Sequence, residues 1–478
     1  MDKQSIVIVG GGLPGLFSAL VLSEHIKDKD IKIVERGQNL GGLFNSINHK
    51  SFGVVDHGMH IIYSTQQKNI DRYIFNCMKD EEWHLLEGNR KDIAGVFYNG
   101  VLDMKSPYID IRSFNDDLRQ ESIFDLFNSF NFEAPLANQV QTAQEFFTDR
   151  FGKTIADKVI DPILQKLWGM SSSELSPYVS KLVLMDRLKF FSHETMSDLA
   201  SSKNIRDRLS FPNQLLLPEK YKSSQVGLYP KRFGIKNVIE KIKTILESRG
   251  VGIYLESEIQ SLKKNDGFVD SVSICSKGRE ENIEAVSRIF WTTPTYPLNK
   301  LFDIQHNKAT SKMDPARIQY TVYFLLKDNE NFGELYYFYC FDPGFKTFRV
   351  TNYGAYCKDA IRKKDSEYGV SFPVCVELHF SAEEIEDVEN IEGLAITELL
   401  RMGIIGNESD VLFSFSGEKA SGFPVLSNKN VDIQRTSRDE VENLMPKNFT
   451  VIGQEPEKGV FFLNDILERA YPLLIGEF

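Results

Sequence analysis

Gly10, Gly12 and Gly15 stand in the string Gly10-Gly11-Gly12-Leu13-Pro14-Gly15, and Glu35 follows twenty positions after the last of them. Glycines at this spacing have a specific use. The first permits a tight turn, the second lets a pyrophosphate approach the backbone, and the third lets a helix pack closely on a strand. The helix that follows turns free N–H groups and its positive dipole end toward the phosphates. Glu35 is placed to accept from a ribose hydroxyl and would repel a 2′-phosphate, a repulsion that Arg36 weakens. The chemistry is capture of the ADP half of a dinucleotide. The elements that must position these residues are also legible. Ser5-Ile6-Val7-Ile8-Val9 reads as a buried strand, an apolar helix pattern follows the glycines, and Ile31-Lys32-Ile33-Val34 reads as the next strand. A plain strand–helix–strand turn is the alternative, and it leaves the glycine spacing and the acid without a purpose.

The following segment selects FAD over NAD. A second glycine pair, Gly41-Gly42, comes soon after the acid, and Asn45-Ser46 and Phe52-Gly53-Val54-Val55-Asp56-His57-Gly58-Met59-His60 follow. A second close backbone approach suits a longer, two-ended cofactor lying across the domain. In order, Gly10, Gly12, Gly15, Glu35, Gly41, Gly42, Asp56, Gly58 and His60 resemble the pattern of a flavoprotein superfamily. Its members include the flavin amine oxidases, protoporphyrinogen oxidase, the phytoene desaturases and UDP-galactopyranose mutase. The resemblance implies an α/β fold: a Rossmann-like FAD-binding domain of the GR2 type, with a second α+β substrate domain built from insertions. It also implies cofactor contacts at Leu13, Pro14, Arg36, Leu43 and Met59.

Two later segments fit the same resemblance. Gly227-Leu228-Tyr229-Pro230-Lys231-Arg232-Phe233-Gly234 precedes an amphipathic helix and the strand Val251–Ile259, whose backbone would read the adenine near Ile259. Phe290-Trp291-Thr292-Thr293-Pro294 resembles the strand end that crosses back, with Thr292 at the cofactor. At the far end, Phe449–Gly453 reads as a strand ending in glycine, and a helix begins near Phe461-Phe462-Leu463-Asn464-Asp465. Gly453, Phe462, Leu463 and Asn464 are the implied contacts there, with Asn464 or Asp465 as the helix cap.

Substrate residues rest on the mutase branch of the resemblance. Gly58-Met59-His60-Ile61-Ile62-Tyr63-Ser64 is similar to its flavin-side histidine loop, which makes His60 a catalytic candidate; a histidine satisfied within a turn is the plain alternative. Lys166-Leu167-Trp168-Gly169 with Ser173-Glu174-Leu175 is similar to its K-x-W-G segment, so Trp168 would line a sugar or base pocket unless it is ordinary core. Phe348-Arg349-Val350 resembles the strand whose arginine binds the substrate pyrophosphate; a surface salt bridge is the alternative for Arg349. A second phosphate-binding arginine would be Arg187, which stands one position away from the family's spacing.

The chain has 478 residues, 42% hydrophobic and 26% charged, with a net charge of −11, values of a globular protein of at least two domains. The boundaries read as a discontinuous FAD-binding domain at 1–75, 226–300 and 440–478, and a substrate domain at 76–225 and 301–439. Within the latter, 115–205 carries helical periodicity, for example Ala143 to Ile163, and 317–380 reads as antiparallel strands. Glu383 to Glu392 reads as a solvated loop or helix start. There is no basic stripe, which argues against nucleic acid. The five cysteines have no CxxC spacing and read as buried thiols of a cytoplasmic protein, with no metal site. No apolar run is long enough for a membrane span.

The expected function is that of an FAD-dependent oxidoreductase moving hydride between a small-molecule substrate and flavin N5, with oxygen or NAD(P)H as redox partner. The mutase-like strings imply a nucleotide-linked sugar, as in surface polysaccharide biosynthesis. The alternatives are a redox-neutral mutase that uses reduced flavin as nucleophile, and a flavin-binding protein without turnover.

Overall fold

The computed structural model describes residues 3–130, 133–295, 297–302, 304, 313–328, 330–364, 366–422 and 425–477. The chain divides into two compact units, Met1–Leu85 with Gln225–Met313 and Asp432–Phe478, and Leu86–Ser224 with Asp314–Val431.

The first unit is built on a five-stranded parallel sheet. Its order is Gly252–Tyr254, Asp30–Val34, Ser5–Val9, Val286–Trp291, Phe449–Val451. Every residue of Ser5–Val9 is buried, as a central parallel strand covered on both faces requires. The helix Leu13–His25 is buried along most of its length because helices Lys236–Ser248 and Leu463–Ile475 both pack against it. A three-stranded antiparallel sheet, Ser257–Asn265, Phe268–Ser276 and Arg279–Ile283, shares an apolar cluster with Val7, Val34, Ile289 and Trp291.

The second unit carries an eight-stranded mixed sheet. Its order is Val411–Ser416, Ile318–Leu326, Phe372–Phe380, Thr347–Asn352, Tyr337–Cys340, Ala94–Tyr98 and Val101–Asp103, with Ala420–Ser421 paired to Ile318–Leu326. The helical stretch read as continuous from Ala143 is broken. Ala143–Phe151 ends at Gly152, whose φ of 92° carries it out of the helix. A Cβ there would lie 2.4 Å from the Asp125 Cβ, so the chain turns at the one residue type that fits. A π-helical run, Ala156–Ile160, then leads into Asp161–Trp168. Pro162 lies in the first turn of that last helix and lacks the N–H needed to continue the regular ladder, which places the irregularity just before it. The acidic segment forms a short helix, Ala382–Glu386, capped by Ser381, before Ile391–Arg401.

Candidate functional site

In the first unit, the chemistry-bearing glycines gather at the carboxyl edge of the parallel sheet, where open α/β sheets bind their ligands. Gly10 continues from Ser5–Val9, its N–H donating to Val34 O at 2.9 Å. Its φ is 107°, and a Cβ would come within 2.6 Å of Thr292 Oγ1. Thr292 Oγ1 itself donates to Val9 O at 2.9 Å. Gly15 is held closer still, because a Cβ there would lie 1.9 Å from the Gly10 carbonyl oxygen. Gly12 is different. A Cβ on Gly12 would meet nothing nearer than Pro14 Cδ at 3.7 Å, so the space beside this backbone is open.

The two glycine motifs form one cradle. Gly41 N–H donates to Gly11 O at 2.7 Å, and Gly12 and Gly41 form a parallel bridge. Gly41 and Gly42 adopt φ of 106° and 57°, and a Cβ on Gly42 would lie 3.5 Å from Gly12 Cα. Glu35 closes the cradle from the side: its carboxylate accepts from Gly11 N–H and Gly37 N–H, both at 2.6 Å. Helix Leu13–His25 begins at Gly12 with no capping side chain and no acid in its first turn, which leaves the N–H groups of that turn without a side-chain cap. Pro14 occupies that first turn. Gly453 lies beside the same edge, where a Cβ would be 3.6 Å from Thr293 O. These residues fit a dinucleotide: an open backbone approach at Gly12, a helix N-terminus without a side-chain cap, and an acid held against the turn.

Other expected cofactor residues have different surroundings. Arg36 is exposed, and Leu43 and Phe462 are exposed apolar side chains, 75% and 49% accessible. Leu463 and Met59 are half-buried, and Gly58 is buried with φ of 81°. His60 Nδ1 lies 3.4 Å from Gly58 O, and its ring meets Phe44 edge-on at 5.2 Å. Ile259 packs into the apolar cluster, with its backbone in the antiparallel ladder opposite Ile274.

Two expectations need correction. Asp56, expected at the cofactor, is completely buried and holds the chain together instead. Its carboxylate accepts from Ser46 Oγ at 2.6 Å, Tyr229 OH at 2.6 Å and Ile235 N–H at 3.0 Å. It thereby ties the Ser46–Asp56 hairpin to the turn before helix Lys236–Ser248. Burial raises its carboxyl above the ordinary value, against the lowering effect of those three bonds. The last helix is capped neither by Asn464 nor by Asp465. It starts at Leu463, with Phe462 as the capping position two residues before Asn464, and the Asp465 carboxylate reaches back to the N–H groups of Phe461 and Phe462, both at 3.1 Å. Asn464 donates its amide to Ser64 O at 2.7 Å.

In the second unit, Arg349 is paired and not free. Strand register sets it opposite Glu377, and the guanidinium forks onto that carboxylate at 2.7 and 3.0 Å. The pair is buried, so it is not the surface salt bridge either. Burial works against the Arg349 charge, but Glu377, Tyr339 and Tyr337 raise it above the usual guanidinium value. Arg187 lies elsewhere, donating to Tyr108 OH at 2.5 Å and facing Asp186 at 3.6 Å. Trp168 is buried and packs in one neighbourhood with Leu167, Arg317, Phe348 and His379. Arg317 and His379 escape a sequence reading because no local motif surrounds them. Only the pairing of Ile318–Leu326 with Phe372–Phe380 brings them together.

His379 is a strongly perturbed titrating group of this face. Burial, and then the charges of Lys166, Arg317 and Arg349, push it down to about 3. The folded ring therefore stays neutral while an unfolded one takes a proton below about pH 6.5. Stability is thus lost as pH falls from 6.5 toward 3, by up to ~1.4 kcal/mol per pH unit. His379→Phe keeps the ring stacked on Phe348. Its Tm should fall less than that of the wild type between pH 7 and pH 4.5. Parallel Tm curves would remove His379 from the acid response.

Residues 8–76 match the NAD(P)-binding Rossmann-like domain family. Across its whole length the chain superposes on a reduced UDP-galactopyranose mutase with a TM-score of 0.72, covering 95% of that structure at 16% identity. The chain has the fold of UDP-galactopyranose mutase. The resemblance read from the glycine motifs therefore holds for the fold. Two curated proteins are similar to part of the chain. One is coproporphyrinogen III oxidase of Bacillus subtilis (strain 168), 22% identical over 190 residues, which are 36% of this chain and 38% of that protein. The other is 4,4′-diaponeurosporene oxygenase of Staphylococcus haemolyticus (strain JCSC1435), 22% identical over 269 residues, 55% of this chain and 50% of that protein. The chain thus matches half or less of the length of these relatives. Beside the mutase-like fold stand other local facts. Among the described residues no group of three His, Cys, Asp or Glu side chains could hold a metal, and no helix is long and apolar enough to cross a membrane. Four of the five cysteines are buried, Cys275 is half-buried, and all are free thiols.

Proposed function

We propose that this protein is an FAD-dependent oxidoreductase that moves hydride between a small organic substrate and flavin N5. The observation that carries the reading is the double-glycine cradle. A dinucleotide domain needs only one close backbone approach, whereas here Gly41-Gly42 is bonded to the Gly10–Gly15 turn. When bound, the flavin supplies the hydride acceptor or donor. The chain's own residues bind and orient it. The N-terminus of helix Leu13–His25 and the open backbone at Gly12 take the pyrophosphate. The Glu35 carboxylate takes ribose hydroxyls, which would replace its bonds to Gly11 and Gly37. Thr292, Gly453 and the start of helix Leu463–Ile475 complete the sheet edge, and His60 stands in the loop after the second turn. The second unit is the substrate unit of this proposal. A nucleotide-linked sugar is its proposed ligand, on the strength of the Lys166-Leu167-Trp168-Gly169 string and the mutase-like fold. Oxygen or NAD(P)H is the proposed redox partner.

A second reading is a redox-neutral mutase, favoured by superposition over the full chain. The burial of Arg349 against Glu377 weighs against it, since that guanidinium is already neutralised. One experiment separates the two. The purified protein is assayed for bound FAD by its visible spectrum, reduced without oxygen, and mixed with UDP-hexoses. Bleaching of the oxidised flavin by a donor, with no product from the reduced enzyme, is the expected result. An isomerised sugar formed while the flavin stays reduced would replace the first reading by the second. Absence of FAD from protein refolded in its presence would overturn both.

A further inference from the structure

The loop that carries His60 is held at its far end by one residue on which three segments of the first unit converge. Ser64 is buried and follows the short strand Ile62–Tyr63, which pairs with Leu228 and Gly227. That pairing is close, since a Cβ on Gly227 would lie 2.8 Å from Ile61 Cγ2. The Ser64 N–H donates to Val226 O at 2.8 Å, and its Oγ accepts from Val226 N–H at 3.0 Å. Its carbonyl oxygen accepts two side-chain amides, Gln225 Nε2 at 2.9 Å and Asn464 Nδ2 at 2.7 Å. These donors stand 161 and 400 positions away in the chain. Beyond Ser64 the chain is fixed again, because Thr65 N–H and Oγ1 both donate to Asp71 Oδ1 at 2.7 Å.

The bond from Asn464 does not serve its own helix. A polar side chain in a first helical turn ordinarily accepts from the unpaired N–H groups there. In helix Leu463–Ile475 the Asp465 carboxylate does this, so the Asn464 amide is released to donate elsewhere. It spans from the start of the last helix to the histidine loop. Gln225 gives the contrast. It adjoins the segment that already pairs with the loop through Val226 and Gly227, so its bond repeats an existing link. The bond from Asn464 joins the loop to a segment with which it shares no strand pairing.

We propose that Asn464 is a positioning residue for the flavin ring. Through Ser64 it fixes the loop of His60 against the start of helix Leu463–Ile475, so that a bound ring meets both in one arrangement. Chemistry at a bound ring needs its surroundings held to within about 0.5 Å, which is what such supporting bonds provide. Asn464 acts through Ser64 and needs no contact of its own with the cofactor. The inference rests on the flavin reading.

The test uses the full-length protein with carbon-13 in its eight histidines, titrated with FAD and followed by NMR. The His60 signal is assigned by its loss in His60→Gln. In the wild type FAD should displace that signal. Asn464→Leu and Gln225→Leu each take one amide from the same carbonyl by the same replacement. Both should bind FAD within about threefold of the wild type, because the glycine cradle is untouched. Only Asn464→Leu should lose the displacement of His60, by about half or more. Asn464→Ala repeats the measurement where leucine is not accommodated. A full displacement in the Asn464 variants would overturn the proposal. An equal loss in Gln225→Leu would also overturn it, since any bond to that carbonyl would then count alike. FAD uptake by the wild type with no displacement of His60 would overturn the proposal and leave the flavin reading standing. A wild type that takes up no FAD would overturn both.

Discussion

Gly12→Ala and Gly15→Ala are expected to fail in different ways, although both remove a glycine from one turn. A methyl at Gly15 would sit 1.9 Å from the carbonyl oxygen of Gly10, well inside contact distance. Either the glycine turn or the start of helix Leu13–His25 must move, and both lie in the core of the first unit. Overpacking of that kind costs typically ~1–3 kcal/mol and more when backbone has to shift. Gly15→Ala should therefore lower the Tm of the cofactor-free protein or yield insoluble chain. Gly12 has φ of −69° and ψ of 173°, a conformation open to any residue, and 3.7 Å of clearance. Gly12→Ala should fold with an unchanged Tm when cofactor-free. Its methyl would occupy the space where a pyrophosphate approaches, and FAD affinity should fall on the order of a hundredfold, equivalent to ~2.7 kcal/mol. Thermal melts and FAD titration of the two cofactor-free variants measure this directly. Normal FAD binding by a folded Gly12→Ala protein would remove Gly12 from the cofactor site.

This contrast also explains why the first unit was so readable. Close backbone approaches leave a residue-type signature, because only glycine fits where a Cβ would meet a carbonyl or where φ is positive. Gly10, Gly15, Gly41 and Gly42 are all of this kind. Asp56 was misread for a related reason. An acid next to glycines looks like a ligand contact, and only the fold shows that Ser46, Tyr229 and Ile235 converge on it. The second unit offered no such signature. Arg317 and Lys166 are 151 positions apart in the chain, and Arg349 and Glu377 are 28 apart. Strand register sets Arg349 opposite Glu377, and the packing of helix Asp161–Trp168 brings Lys166 to Arg317; both are tertiary outcomes that local spacing does not encode. The strands from Ile318 to Leu378 could be read from their β-branched and aromatic runs. Which carboxylate would stand opposite Arg349 could not.

The Arg349–Glu377 pair should behave as a structural unit, and a mutant cycle can show it. The two side chains are 13% and 3% accessible, and the carboxylate accepts both guanidinium bonds together with one from Gln319. Removing one partner strands the other charge inside the protein, a loss of ~3–5 kcal/mol. Glu377→Leu should therefore be strongly destabilising, because the Arg349 guanidinium cannot shed its proton. Arg349→Met should be destabilising as well, though less so, since Gln319 still donates to the carboxylate. The double variant Arg349→Met with Glu377→Leu replaces the pair by apolar groups and should regain most of the lost stability, as buried ion pairs often allow. The measurement is denaturant unfolding of the four proteins, with UDP titrated into each that folds. A phosphate-binding Arg349 makes the opposite forecast. Arg349→Met would then melt like the wild type and lose UDP, and the double variant would bind no better. The buried fork favours the first pattern, because a guanidinium whose charge is already matched by a carboxylate has little attraction left for a diphosphate.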